Sequence, residues 1–219
     1  VTRPLNVVLT AGARPNFMKL APLWKLLRRD PRRFAPRMIH TGQHYDPEMS
    51  GYFFRDLGLP KPDHFLGAGP GSAAEQTARI MVAFENICLH EKIDLVVVFG
   101  DANSTLACAV TAKKLAFPVV HVEAGLRSRD WTMPEETNRI VTDSLSDFLF
   151  TPSKEADENL LREGVPPHRI HFVGNIMIDA LKAARPKALK RRTFNRLSLK
   201  SGKFGIVTLH RPSNVDDHQ

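Results

Sequence analysis

Short apolar runs alternate with helix-period stretches along almost the whole chain. The runs Asn6–Thr10, Arg37–His40, Leu95–Phe99, Val119–Val122, Phe148–Phe150 and Ile170–Val173 predict strands. Between them, apolar residues spaced three and four apart predict helices over Pro15–Arg29, 47–57, Ala73–Glu91, Asn103–Leu115, Glu135–Leu145, Lys154–Arg162 and 175–184. Phe17, Leu20, Leu23, Trp24 and Leu27 make the stripe of the first helix, and Ile80, Phe84 and Ile87 that of the third. Pro15 suits a first helical turn because its fixed φ is already helical. The central strands are apolar without alternation, which fits a sheet covered on both faces. Strands that follow one another through helical crossovers are parallel. The expected fold class is therefore α/β, a doubly wound parallel sheet.

The segment from Leu95 to Asp101 and the segment from Val119 to Gly125 each end an apolar run in a carboxylate and a glycine. Ligands of open parallel sheets sit beyond the carboxyl ends of the strands. Asp101 and Glu123 are thereby expected at one rim of one cleft, where two carboxylates perturb each other and divide acid and base roles. Asp101 has a second reading as the N-cap of the helix that follows. Glu135 and Glu136 follow Pro134 and open a helix, where acids complement the dipole. Arg14 and Lys19 lie at the first strand-to-helix junction, where a cation and free backbone N–H groups suit a phosphate. His121 alternates with Val120 and Val122 in a buried strand and reads equally as a core histidine. His210 ends a late apolar run, Phe204–Leu209, in a position that suits a functional imidazole.

The net charge of +8 belongs to one stretch. Residues 182–203 hold nine of the 31 basic residues and no acid, leaving 22 against 23 acidic ones elsewhere. With no aromatic interleaving the stretch reads as a solvated linker, and no nucleic-acid partner is expected. Cys88 and Cys108 lack CxxC spacing, and His40 and His44 lack further ligands, so neither a disulfide framework nor a metal site is expected. No apolar run approaches the ~20 residues of a membrane span, so no membrane contact is expected. The opening residues lack the order of a secretory signal, so a cytoplasmic location is expected. The expected organisation is a domain over 1–184, a basic linker over 185–203, and the first strand of a truncated second domain over 204–219.

Several blocks occur in the order of a known family: Arg14-Pro15, Thr41-Gly42-Gln43-His44, Phe99-Gly100-Asp101, HVEAGLR at 121–127, PEETNR at 134–139, Gly174-Asn175, the run 178–181 and His210-Arg211. Together they resemble the bacterial non-hydrolysing UDP-N-acetylglucosamine (UDP-GlcNAc) 2-epimerases. That resemblance implies two Rossmann-like domains in a GT-B-type fold, this chain carrying the first. It also implies interconversion of UDP-GlcNAc and UDP-ManNAc without a cofactor or metal, supplying precursors of surface polysaccharides, and a homodimer. Asp101, Glu123, Glu135 and His210 match the family's acid–base residues, and Arg14 and Lys19 its substrate-binding cations. The continuation of Gln43-His44 as Tyr45-Asp46-Pro47 departs from the QHRxM run associated with a second, allosteric nucleotide sugar. The alternatives are a hydrolysing 2-epimerase releasing ManNAc and UDP, a glycosyltransferase on the same scaffold, and a nucleotide-sugar-binding fragment without chemistry. Alone, the 219-residue chain is expected to bind weakly and turn over poorly.

Overall fold

The computed structural model describes residues 3–42, 54–200 and 202–208. Seven parallel strands form one sheet: β1 (Leu5–Ala11), β2 (Phe34–His40), β3 (His64–Phe65), β4 (Leu95–Phe99), β5 (Val119–Val122), β6 (Phe148–Thr151) and β7 (Ile170–Phe172). Their order is β3-β2-β1-β4-β5-β6-β7. The reversal between β1 and β4 is the switch point at which such sheets open a crevice. The helices are α1 (Arg14–Leu27), α2 (Ala73–His90), α3 (Asn103–Lys114), α4 (Pro134–Leu145), α5 (Lys154–Arg162), α6 (Ile176–Arg191) and α7 (Thr193–Arg196).

Both sheet faces are covered, as the non-alternating strands require. Val97 and Phe99 pack with Val7, Leu9 and the α1 residues Phe17, Leu20 and Trp24 on one side. Val96 and Val98 pack with Ile80, Phe84 and Cys88 of α2 and with Ala107 and Cys108 of α3 on the other. Burial pushes both thiols up to about 12, leaving them inert core groups. The start of α2 is fixed by a capping box, in which Ser72 accepts from the Glu75 N–H and Glu75 accepts from the Ser72 N–H.

The chain divides into two compact units, Val1–Leu181 and Lys182–Gln219. Two local expectations fail in the C-terminal residues. The described residues of the basic stretch are all exposed, and α6 runs into it: the helix continues past the expected end at 184 to Arg191, through Pro186. Ala, Leu, Lys and Arg are strong helix formers, and here propensity outweighs one proline. Residues 204–208 form no strand and are exposed, Ile206 by 86%. A strand exists only against a neighbour that completes its ladder, and these residues have none among the described ones. Only residues 54–57 of the helix expected over 47–57 are described, and they are helical.

Phe84 is fully buried on α2 whereas Val82, on the same helix, is 70% exposed. Phe84→Ala is expected to cost about 3–5 kcal/mol in urea unfolding, and Val82→Ala less than about 0.5 kcal/mol. Similar losses from the two would contradict this packing.

Candidate active site

Pairing of β4 with β5 in register, Phe99 opposite Val122, places the next residues of both strands at one level. Those residues are Gly100-Asp101 and Glu123. Gly100 turns at φ +64°, and a Cβ there would meet Lys19 Nζ at 2.7 Å and Glu123 Oε2 at 3.3 Å. The Glu123 carboxylate therefore rests against the backbone one residue before Asp101. Glu123 itself has φ +75°, an outlier for a side chain of this size. Its N–H and that of Ala124 both donate to the Phe150 carbonyl, at 3.0 and 3.1 Å, so β6 holds the turn.

Each of the two acids stands beside a cation. Lys19, buried on α1, is ion-paired with Glu123. Asn16, one turn earlier, donates to the Phe99 carbonyl and so ties α1 to the end of β4. Asp101 does not cap α3: the N-cap is Ala102, and no side chain caps it. Instead Asp101 Oδ2 lies 2.6 Å from Arg139 Nη2, and Asn138 Nδ2 donates to the Asp101 carbonyl at 2.8 Å. The cap reading fails because a stronger partner, a guanidinium, is within reach.

Glu135 is exposed on the first turn of α4. It lies three and four residues before Asn138 and Arg139, hence on the face that reaches Asp101. Its neighbour Glu136 is the buried acid. Glu136 accepts from the Ser128 N–H at 2.9 Å, the Arg129 N–H at 2.8 Å and the Ser128 hydroxyl at 3.0 Å, and pairs with Arg139 at 2.8 Å. Burial pushes this carboxyl up, but those backbone N–H groups and the guanidinium hold it down, at about 2. Arg14 is exposed at the first position of α1. His210 lies outside the described residues, as do Gln43 and His44. His40 is a core residue of β2, and burial lowers it to about 4. Glu136 also borders a recess of about 270 Å³ with Arg127, Arg129, Trp131, Asn159 and Glu163.

The structure thus sets Asp101 and Glu123 at adjacent strand ends, pairs Glu123 with Lys19, and leaves Glu135 exposed on the first turn of the helix that carries Arg139. Asn16, Glu136, Asn138 and Arg139 complete the arrangement without having been singled out as site residues from the sequence. The signal was present in PEETNR, whose Asn and Arg follow the first Glu by three and four positions.

Two substitutions probe this geometry. With its folded value depressed, Glu136 contributes stability above its ordinary value of 4.5, and loses it as pH falls towards about 2. Glu136→Gln is expected to be less stable than the parent at pH 7, with a deficit that narrows as pH approaches 2 in urea titrations. A deficit independent of pH would count against the ionised network. Gly100→Ala sets a Cβ 2.7 Å from Lys19 Nζ on backbone at φ +64°, so its crystal structure is expected to show Lys19 displaced relative to Glu123.

A family model described as UDP-N-acetylglucosamine 2-epimerase matches residues 25–219. A UDP-N-acetylglucosamine 2-epimerase homolog of Methanococcus maripaludis is 45% identical over 97% of this chain and 59% of its own length. A UDP-2,3-diacetamido-2,3-dideoxy-D-glucuronate 2-epimerase of Pseudomonas aeruginosa is 40% identical over 97% of this chain and 59% of its own. The crystal structure of Methanocaldococcus jannaschii UDP-GlcNAc 2-epimerase in complex with UDP-GlcNAc and UDP superposes with a TM-score of 0.85. It is 41% identical and covers 97% of this chain and 59% of that one. The sheet is accordingly the Rossmann-like half of a GT-B-type fold, and the chain spans about three fifths of the length of these relatives. Matched by the model over residues 25–219, the chain belongs to the UDP-N-acetylglucosamine 2-epimerase family.

Proposed function

We propose that the full-length protein containing this chain is a non-hydrolysing 2-epimerase that interconverts UDP-GlcNAc and UDP-ManNAc. One observation carries the reading: Asp101 and Glu123 converge at adjacent strand ends, each beside a cation. In the proposed reaction a carboxylate removes the C2 proton. The C2–H electron pair forms a C1–C2 double bond, and the C1–O bond breaks with its pair leaving on UDP. Return of a proton to the other face of C2 and of UDP to C1 gives the epimer. Removing a weakly acidic proton while a diphosphate departs calls for positioned acid–base groups and cations.

Asp101, Glu123 and Glu135 are the acid–base residues of this proposal, joined by His210. Lys19 and Arg14 are its cations. Lys19 would exchange its Glu123 partner for the substrate's negative charge, freeing the carboxylate for proton transfer. The reading takes residues 1–184 as one domain and residue 204 as the opening of a second. The reading extends to a cytoplasmic homodimer feeding surface-polysaccharide synthesis. A second sugar deserves a parallel assay, because the Pseudomonas aeruginosa relative named for UDP-2,3-diacetamido-2,3-dideoxy-D-glucuronate is almost as similar as those named for UDP-GlcNAc.

In the full-length protein, Asp101→Asn and Glu123→Gln are each expected to lower kcat by about 10²–10⁴-fold. The assay is NMR of the two C2 epimers in deuterated water, with deuterium appearing at C2 of product. Free UDP accumulating in step with ManNAc would instead identify a hydrolase. Undiminished turnover by either variant would reject the assigned roles.

A further inference from the structure

His121 is fully buried in β5, yet neither of its ring nitrogens faces an apolar group. Nε2 lies 2.8 Å from the Gly100 carbonyl oxygen, and Nδ1 lies 2.6 Å from Asp143 Oδ1 on α4. The other Asp143 oxygen accepts from the Gly125 N–H at 3.0 Å and stands 2.8 Å from Arg127 Nη1. The Asp143 and Arg127 side chains are only 1% and 4% exposed. One continuous path of polar contacts therefore runs from the residue before Asp101 to the residue two after Glu123.

We propose that His121 is a positioning residue, a strut that fixes the Asp101 turn and the Glu123 turn relative to each other through Asp143. The proposal rests on the epimerase reading for its effect on rate, but not for its hydrogen bonds. A carbonyl oxygen can only accept, so Nε2 carries a hydrogen. Asp143 already accepts from a backbone N–H and a guanidinium, so it receives the Nδ1 hydrogen as well. Burial pushes the Asp143 carboxyl up, and His121 and Arg127 more than reverse this, holding it below its ordinary value.

No smaller polar side chain donates from two opposite edges at this reach. A hydrophobic residue in its place would orphan the Gly100 carbonyl and half of a buried carboxylate, which is far costlier than a lost surface contact. The Glu123 end is further confined. Gly125 has φ +79°, and its carbonyl accepts from Asn159 Nδ2 at 3.0 Å. A Cβ on Gly125 would lie 2.5 Å from the Ala156 carbonyl oxygen, so this turn cannot shift towards α5. The imidazole thus braces the frame from which the two acids hang, beside the Gly100 N–H that donates to the Val122 carbonyl at 3.0 Å.

Two measurements test the strut. In the full-length protein, His121→Gln keeps one donor and removes the other, and Asp143→Asn leaves the ring but weakens its anchor. Both are expected to lower kcat by about 100-fold, the effect of misplacing a catalytic group by about 1 Å, with KM changed less than threefold. Unchanged kcat, or a change confined to KM, in a folded variant overturns the proposal. Should the variants not fold, nitrogen-15 NMR of histidine-labelled parent protein decides: Nδ1 and Nε2 of His121 are each expected to carry a hydrogen held in a hydrogen bond, to Asp143 and to the Gly100 carbonyl. A ring with hydrogen on one nitrogen overturns the strut. Failure of the parent to epimerise either sugar would instead reject the functional reading, leaving the NMR result to stand by itself.

Discussion

Parallel pairing of β4 with β5, in register from Val96 opposite Val119 to Phe99 opposite Val122, is the constraint on which the rest of the site depends. Parallel strands direct their carboxyl ends to one rim, so two acids 22 positions apart in sequence arrive side by side. Both turns leave the sheet through left-handed backbone, at Gly100 and at Glu123. For Glu123 this costs on the order of 1–3 kcal/mol, and such a conformation persists only where its surroundings over-determine it. Two N–H groups on the Phe150 carbonyl and an ion pair with Lys19 supply that confinement. The strain sits at the residue whose carboxylate meets Lys19.

Helix α4 is the second device. Its buried residues are Glu136, Asn138, Thr142 and Asp143, all polar. An amphipathic helix normally turns apolar residues inward. Here the inward face instead carries groups that reach the acid-bearing turns: Asn138 the Asp101 carbonyl, Arg139 its carboxylate, and Asp143 both His121 and Gly125. Glu135, Arg139 and Asp143 follow one another at four-residue intervals along this helix. Burying so many charges contributes little net stability, because desolvation offsets most of the attraction between them. What the arrangement provides is definition of position, the buried carboxylates of Glu136 and Asp143 each having more than one fixed donor. The apolar core that sustains the fold lies on the two sheet faces, away from this polar seam.

Much of the architecture was legible in the chain itself. Strand and helix types from Asn6 to Phe172 follow from periodicity, because burial on two faces or on one stripe writes its own spacing into the residues. Parallelism, and with it the meeting of Asp101 and Glu123, follows from strand–helix–strand order. Other features were not legible, for identifiable reasons. The edge strand His64–Phe65 is too short to leave a pattern, and it exists only because β2 offers a ladder. The residues after 204 are apolar enough for a strand but lack one among the described residues, since a strand is a property of a pair. Asp101 as cap or ion-pair partner, Glu136 as dipole complement or buried anchor, and His121 as core or brace were all equally compatible with local sequence. Those choices turned on partners brought from afar: Lys19 lies 104 residues from Glu123, and Arg139 lies 38 from Asp101. The sequence by itself determined which segments become strands and helices and which two acids share a rim, because those depend on local periodicity and connection length. Only the tertiary structure decided what each charged side chain touches, because a hydrogen bond is set by ångström-scale distances between segments that no local pattern records.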